Sequence, residues 1–420
     1  MSSPSCDRSP VWHPFTQHAL AGEIPEIARA EGAWLETAGG RRILDAISSW
    51  WVTTHGHAHP RIVAAIREQA EQLDQVIFAG LTHGPAEAVA RGLVKLAPPG
   101  LQHVFFSDSG STAVEVALKM ALGFWRNRGQ PRAKILAMQH AYHGDTVGTM
   151  SVGARGVFNA AYEPLLFEVG RIPFPAQGCE QQTLDSLERA CKASDVAALI
   201  VEPLILGAGG MLTYAPRVLA EMARICRAHR VLVIADEVMT GWGRTGTLFA
   251  CEQASVSPDI LCTAKGLTGG ALPLAATLAT AEIFDAHFST DRTCTFFHSS
   301  SYTANPIACA AALANLEIWR DEPVLERVAA LARHQTRALA RFSGDARFTS
   351  TRQLGSITAL DVRVADEGYL AGIGPKLTAA FMARDVLLRP LGNTIYVMPP
   401  YCAGEAELAA IYAAIDDEVR

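Results

Sequence analysis

The chain is 420 residues long, more than one compact core usually holds, so length alone implies a large domain with a smaller partner and room for a deep site. Its 49% hydrophobic and 19% charged residues place it in the globular range and exclude extended disorder. A formal net charge of -6 without a long basic run excludes a nucleic-acid-binding surface, and the lack of any run of about 18 apolar residues excludes a membrane span, which leaves small molecules as the expected partners.

In chain order, Met1-Ser2-Ser3-Pro4-Ser5-Cys6-Asp7-Arg8 lacks the apolar core of a signal peptide. The 9 cysteines are scattered, odd in number and without a Cys-x-x-Cys pair, as suits buried thiols in a reducing compartment, so the cytoplasm is the expected location. Within residues 1–50, Trp34-Leu35-Glu36 and Arg42-Ile43-Leu44-Asp45 read as strands joined by Gly39-Gly40, a small hairpin appended to the main body. Ser48-Ser49-Trp50-Trp51 ends this segment as core packing or as the wall of an apolar cleft. His55, His57 and His59 alternate as metal ligands on a strand would, but Gly56 and Pro60 break such a strand and no acidic residue lies close by in the chain. They read as loop histidines, and no metal is expected.

Between residues 51 and 306, apolar runs alternate with helix-period stretches: Val104 to Phe106, Lys134 to Met138, Ala197 to Val201, Val231 to Ala235, Ile260 to Thr263 and Leu274 to Ala279. This alternation predicts an α/β domain with a mostly parallel sheet covered by helices on both faces. From 307 to 420 come two Ala/Leu-rich helices, through Trp319 and from Pro323 to Phe342, then short runs such as Ser356 to Leu360 and Thr394 to Met398. They predict a smaller α+β domain, of which residues 1–50 are expected to form the N-terminal segment and 307–420 the C-terminal one.

Three strand ends carry the chemistry. Val104 to Phe106 runs into Ser109-Gly110-Ser111-Thr112 and a helix, so the turn offers backbone N–H groups and hydroxyls to an anion at a helix N-terminus. It is not a Walker loop, because the Gly-Lys-Ser/Thr ending is absent. The next two runs deliver Asp236 and Lys265. In open α/β sheets the ligand crevice lies beyond the carboxyl ends of the strands, where all three features fall. A lone lysine in a loop is ordinarily a surface residue; the company of Asp236 and the anion cup changes that reading. Acid, amine and cup are what pyridoxal 5'-phosphate requires: Lys265 to form a Schiff base and shuttle the proton, Asp236 to keep the pyridine nitrogen protonated. Val238, two residues further, is placed to pack one face of the ring, and Tyr142 is the candidate for the other. Gly241-Trp242-Gly243-Arg244-Thr245-Gly246 satisfies G-x-G-x-x-G, but Thr247 to Glu252 is too short a run before Pro258 for a dinucleotide crossover helix, so nicotinamide binding is not expected.

The chain resembles the class III, fold-type-I pyridoxal-phosphate aminotransferases over nearly its whole length. The resemblance is carried by Trp12-His13-Pro14-Phe15-Thr16, Ser48-Ser49-Trp50-Trp51, Asp108-Ser109-Gly110-Ser111, Tyr142-His143-Gly144-Asp145, Glu202-Pro203, Gly207-Ala208-Gly209-Gly210-Met211, Ala235-Asp236-Glu237, Gly243-Arg244-Thr245-Gly246, Pro258 to Cys262, Asn305-Pro306, Arg389-Pro390 and Met398-Pro399-Pro400-Tyr401. It implies Lys265 as the cofactor-bearing lysine, Asp236 as partner of the ring nitrogen, Gly110 and Ser111 at the phosphate, and Tyr142 stacked on the cofactor and touching substrate. Within the class, the double tryptophan, Arg389-Pro390 and Met398 to Tyr401 point to the branch of biotin synthesis. That branch implies 8-amino-7-oxononanoate as acceptor and S-adenosyl-L-methionine as donor, with an ω-amino acid or diamine aminotransferase as the alternative. Trp50, Phe15 and Tyr401 then line the substrate site, and Arg389 holds the carboxylate of the long keto-acid chain. Ser299, Ser300 and Ser301 lie where the family loop crosses a homodimer interface, Ser300 and Ser301 toward the partner's phosphate and Ser299 toward substrate. Two departures bear on the donor. Phe15 stands where the family commonly has tyrosine, and Ser299-Ser300-Ser301 where it commonly has Gly-Pro-Thr, which keeps lysine open beside S-adenosyl-L-methionine.

Overall fold

The computed structural model describes residues 9–420, so Met1 to Arg8, and the readings made of them, lie outside the described residues. Three N-terminal strands come first: β1 (Ile27–Glu31), β2 (Trp34–Thr37) and β3 (Arg42–Asp45), paired antiparallel. Next in the chain are β4 (Leu101–Ser107), β5 (Lys134–Met138), β6 (Gly170–Ile172), β7 (Val196–Val201), a short separate hairpin of β8 (Ile205–Leu206) and β9 (Leu212–Thr213), then β10 (Leu232–Asp236), β11 (Ile260–Thr263) and β12 (Ala275–Thr280). The large sheet has the order β4-β12-β11-β10-β7-β5-β6. Its neighbours are parallel except at β12, which runs antiparallel to both β11 and β4.

The strands sort their side chains by the two-residue period. Ile135, Ala137, Ala198, Ile200, Leu232 and Ile234 pack under the helix Gly110–Asn127, whereas Leu136, Met138, Leu199, Val201, Val233 and Ala235 pack against the helices Glu180–Cys191 and Pro216–Ala228. With both faces covered, β7, β10 and β11 are buried along their whole length, which is why they appear in the sequence as unbroken apolar runs.

The smaller unit contains β13 (Phe348–Leu354), β14 (Ile357–Val362), β15 (Val386–Leu387) and β16 (Thr394–Val397). β13, β14 and β16 form one antiparallel sheet, while β15 pairs parallel with β3. The N-terminal strands are therefore built into the smaller domain, as the expected fold class has it, and are not a separate hairpin appended to the main body. They form a four-stranded sheet with a C-terminal strand, and Leu44 and Trp51 share one core with Leu360, Val397, Tyr412 and Ile415. The helix Pro306–Asp321 spans two cores, giving Ala311, Ala314 and Ile318 to this one and Ala308, Ala312 and Leu316 to the core beneath β4 and β12. No helix among the described residues is long and apolar enough to cross a membrane.

Candidate active site

The carboxyl ends of β4, β10 and β11 open on a cleft of about 460 Å³ lined by Gly110, Ser111, Tyr142, Asp236, Val238 and Lys265. Parallel strand direction alone brings these distant segments to one edge. At the end of β4, Ser109 caps the helix Gly110–Asn127 by accepting from the Thr112 amide, and the Thr112 hydroxyl accepts from the Ser109 amide. The capping bonds thus occupy the amides of Ser109 and Thr112 and not those of Gly110 and Ser111, which stand at the positive end of an 18-residue helix. A Cβ at Gly110 would stand 2.5 Å from Val238 Cγ1. Glycine is required there for the phosphate cup and the ring wall to approach each other.

Asp236 ends β10 and is 5% exposed. Its Oδ2 lies 2.7 Å from Nδ1 of the buried His143, and its Oδ1 accepts from the Val238 amide at 3.1 Å. Lys265 follows β11 at φ 41°, a left-handed conformation that residues with a Cβ rarely adopt. Burial lowers the proton affinity of its amine, against the opposing pull of Asp236 and Glu202. The Lys265 Nζ stands 5.3 Å from the centre of the Trp51 ring. Glu202, one residue beyond β7, accepts from the amides of Tyr142 at 3.0 Å and Gly207 at 2.9 Å. Burial raises its carboxyl to about 7 despite the nearby His143. Burial, with the neighbouring Asp145, also holds the Tyr142 phenol well above its usual range, so it stays protonated.

This set fits pyridoxal 5'-phosphate. The glycine cradle at a helix N-terminus suits the phosphate, the recessed carboxylate of Asp236 suits a protonated ring nitrogen, Val238 and Tyr142 suit the ring, and Lys265 suits the aldehyde.

Phe15, Trp50 and Arg389 meet one another, although none of them lines this cleft. The Arg389 guanidinium lies 5.3 Å from the Trp50 ring centre and donates to the Phe15 carbonyl at 2.8 Å. Phe15 stands 5.5 Å from Trp50 and 6.0 Å from Phe158, which in turn stands 6.0 Å from Tyr142. Aromatic contacts therefore run from this group to Tyr142 of the cleft. Trp50 is 43% exposed, whereas Trp51 is buried, lines the cleft and donates its indole N–H to the Tyr396 hydroxyl.

Tyr401 does not join this group. It is 3% exposed, its hydroxyl donates to the Trp242 carbonyl, and its ring faces the buried Arg244, so it packs the core behind the site. Ser299, Ser300 and Ser301 also stand apart from their own chain's cleft: the Ser301 carbonyl accepts from Gln75 and the Ser300 amide donates to Thr303. His57 has an acidic neighbour that sequence proximity does not reveal, because pairing of β3 within its sheet brings Asp45 Oδ2 to 2.8 Å from its Nε2. The Gly241 to Gly246 loop leads into a single 3-10 turn, Ala250–Ala254, rather than a crossover helix.

Among the cleft residues, His143 and Glu202 are given no role by the sequence, whereas Trp51 reads together with Trp50 as core packing or as the wall of an apolar cleft. His143 adjoins the candidate Tyr142 and Glu202 ends a strand, so strand-end position was the available signal for the latter. Nothing in a Trp-Trp pair says which member turns inward; the backbone decides, with Trp51 at φ 68°.

Comparison with known proteins agrees with this geometry. The sequence model of the family described as "Aminotransferase class-III" matches residues 21–419. The adenosylmethionine-8-amino-7-oxononanoate aminotransferase of Synechococcus elongatus is 49% identical over 97% of this chain and 97% of its own. Its Geobacter sulfurreducens namesake is 36% identical over 99% of this chain and 96% of its own. The crystal structure of the enzyme of that name from Methanocaldococcus jannaschii superposes with a TM-score of 0.92 at 34% identity, covering 97% of both chains. An amine transaminase from an uncultivated Pseudomonas species, solved in its PLP-bound form, gives a TM-score of 0.91 at 31% identity over 98% of both chains.

Proposed function

The chain belongs to the class-III aminotransferases, and from that premise we propose that it transfers an amino group from S-adenosyl-L-methionine to 8-amino-7-oxononanoate, giving 7,8-diaminononanoate in biotin synthesis. It is a fold-type-I enzyme that uses pyridoxal 5'-phosphate and acts on small molecules. When bound, the cofactor supplies an aldehyde that carries the amino group and a ring that takes up electron density. The single observation that carries the reading is the recessed Lys265 amine in one cleft with Asp236 and the Gly110-Ser111 turn.

Lys265 Nζ would move a proton from the amine-bearing carbon of the donor to the cofactor, and in the second half-reaction would carry one back from the cofactor to the acceptor carbon. An amine whose proton affinity burial has lowered gives up its proton more readily, which suits a group that alternates as base and acid. Asp236, aligned by His143, holds the ring nitrogen; Gly110 and Ser111 hold the phosphate; Val238 and Tyr142 confine the ring. Trp50 and Phe15 wall the path of the apolar chain, and Arg389 takes its carboxylate by a planar two-pronged contact.

We assign the working form to a homodimer, since Ser299 and the phosphate-directed Ser300 and Ser301 lie away from their own cleft beside the exposed Phe297 and Tyr302. We assign it to the cytoplasm, on the scattered cysteines without a Cys-x-x-Cys pair.

Steady-state kinetics test the assignment. Parallel double-reciprocal lines with the two named substrates, and loss of turnover in Lys265→Ala, are expected. The structural likeness to the amine transaminase favours one second reading, an ω-amino acid or diamine aminotransferase. Turnover with pyruvate or 2-oxoglutarate and none with the oxononanoate would select it. Lysine in place of S-adenosyl-L-methionine would change only the donor.

A further inference from the structure

Lys265 sits at φ 41°, a conformation that persists only where the surroundings over-determine it. The turn it opens, Lys265–Thr268, is gripped from two sides. On one side lies Trp242, so close that a Cβ at Gly266 would stand 2.6 Å from the Trp242 Cβ. On the other lies Asn315, whose Nδ2 donates to the carbonyls of Gly266 at 3.1 Å and Leu267 at 3.0 Å.

Both N–H groups of the Asn315 amide are spent on those carbonyls, so the atom it turns to His55 is the oxygen. His55 Nε2 lies 2.7 Å from it and must carry the hydrogen, which fixes the imidazole tautomer. Asn315 is fully buried, His55 is 7% exposed, and burial pulls the imidazole down to about 4, so it stays neutral at pH 7. Asn315 occupies a helix whose neighbouring buried positions are Ala311, Ala314, Leu316 and Ile318. An amide in such company costs free energy unless its bonds are made, and these bonds go to the lysine turn and to His55.

We propose that Asn315, oriented by His55, is a positioning residue that clamps the turn following Lys265 against Trp242 and so keeps the lysine amine aimed at the cofactor site. The clamp acts through Lys265 and rests on the reading of Lys265 as the cofactor-bearing residue.

The test is a double-mutant cycle on the affinity of the apoprotein for pyridoxal 5'-phosphate, titrated by absorbance in the parent, Asn315→Leu, Lys265→Ala and the double variant. Leucine keeps the branching and heavy-atom count of asparagine and removes both donors. The clamp predicts that Asn315→Leu weakens binding by about tenfold when Lys265 is present and changes it by less than about twofold in the Lys265→Ala background. An equal loss in both backgrounds would reduce Asn315 to a general packing role, and no loss in either would remove it; both overturn the proposal. Should Asn315→Leu not accumulate as folded protein, His55→Phe and His55→Gln run the same cycle. Only glutamine retains an N–H donor toward the Asn315 oxygen, so the clamp predicts the loss with phenylalanine and recovery with glutamine. Equal affinity of the parent and Lys265→Ala proteins would overturn the assignment of Lys265 itself, a result distinct from a missing Asn315 effect.

Discussion

At Glu202, burial outweighs hydrogen bonding. The carboxyl accepts two backbone amides, yet desolvation raises it from 4.5 to about 7. An acid with a raised folded-state value binds more protons folded than unfolded. Its contribution to stability is therefore full below its unfolded value of 4.5 and is lost as the pH rises through about 7. Glu202→Gln apoprotein should melt lower at acid pH, because one amide loses its acceptor, and its melting temperature should fall less than the parent's as the pH rises through that window. An unchanged slope would show that another group titrates there. Asp236 and Lys265 were legible in the sequence because each ends an apolar run. The partners that set their properties were not, since His143 and Glu202 reach Asp236 and Lys265 only after β5, β7, β10 and β11 align side by side.

Elements that fill a period could be read, and elements too short to show one could not. β5 and β11 coincide with their apolar runs, whereas β6, β8, β9 and β15 span two or three residues each and exist through their neighbours. The same dependence on neighbours makes Gly110 a sensitive position. Gly110→Ala places a methyl group against Val238, at the junction of the helix N-terminus and the ring wall. Binding of pyridoxal 5'-phosphate should weaken by about tenfold, roughly 1.4 kcal/mol, with little change in the melting temperature of the apoprotein. Unaltered affinity would mean that the phosphate does not sit at this turn.

At the scale of the molecule, the α/β class followed from alternation of strands and helices, and the joining of N- and C-terminal segments in one smaller domain was expected too, but the pairing of β3 with β15 that achieves it was not, because it links positions that no local pattern connects. Assembly is equally non-local. A homodimer with shared sites predicts a solution mass of about twice the 45.0 kDa chain. It also predicts that two inactive proteins, Lys265→Ala and Ser301→Arg, regain activity when their subunits are exchanged, since one of the two sites then combines an intact lysine with an intact loop. Failure to regain activity would place the loop outside the partner's site. The most direct test of the central claim is the near-ultraviolet and visible absorbance of the purified holoenzyme, followed as S-adenosyl-L-methionine and then 8-amino-7-oxononanoate are added. Amino transfer by the proposed route predicts a band that the first addition bleaches and the second restores, whereas a band that neither compound changes would contradict it.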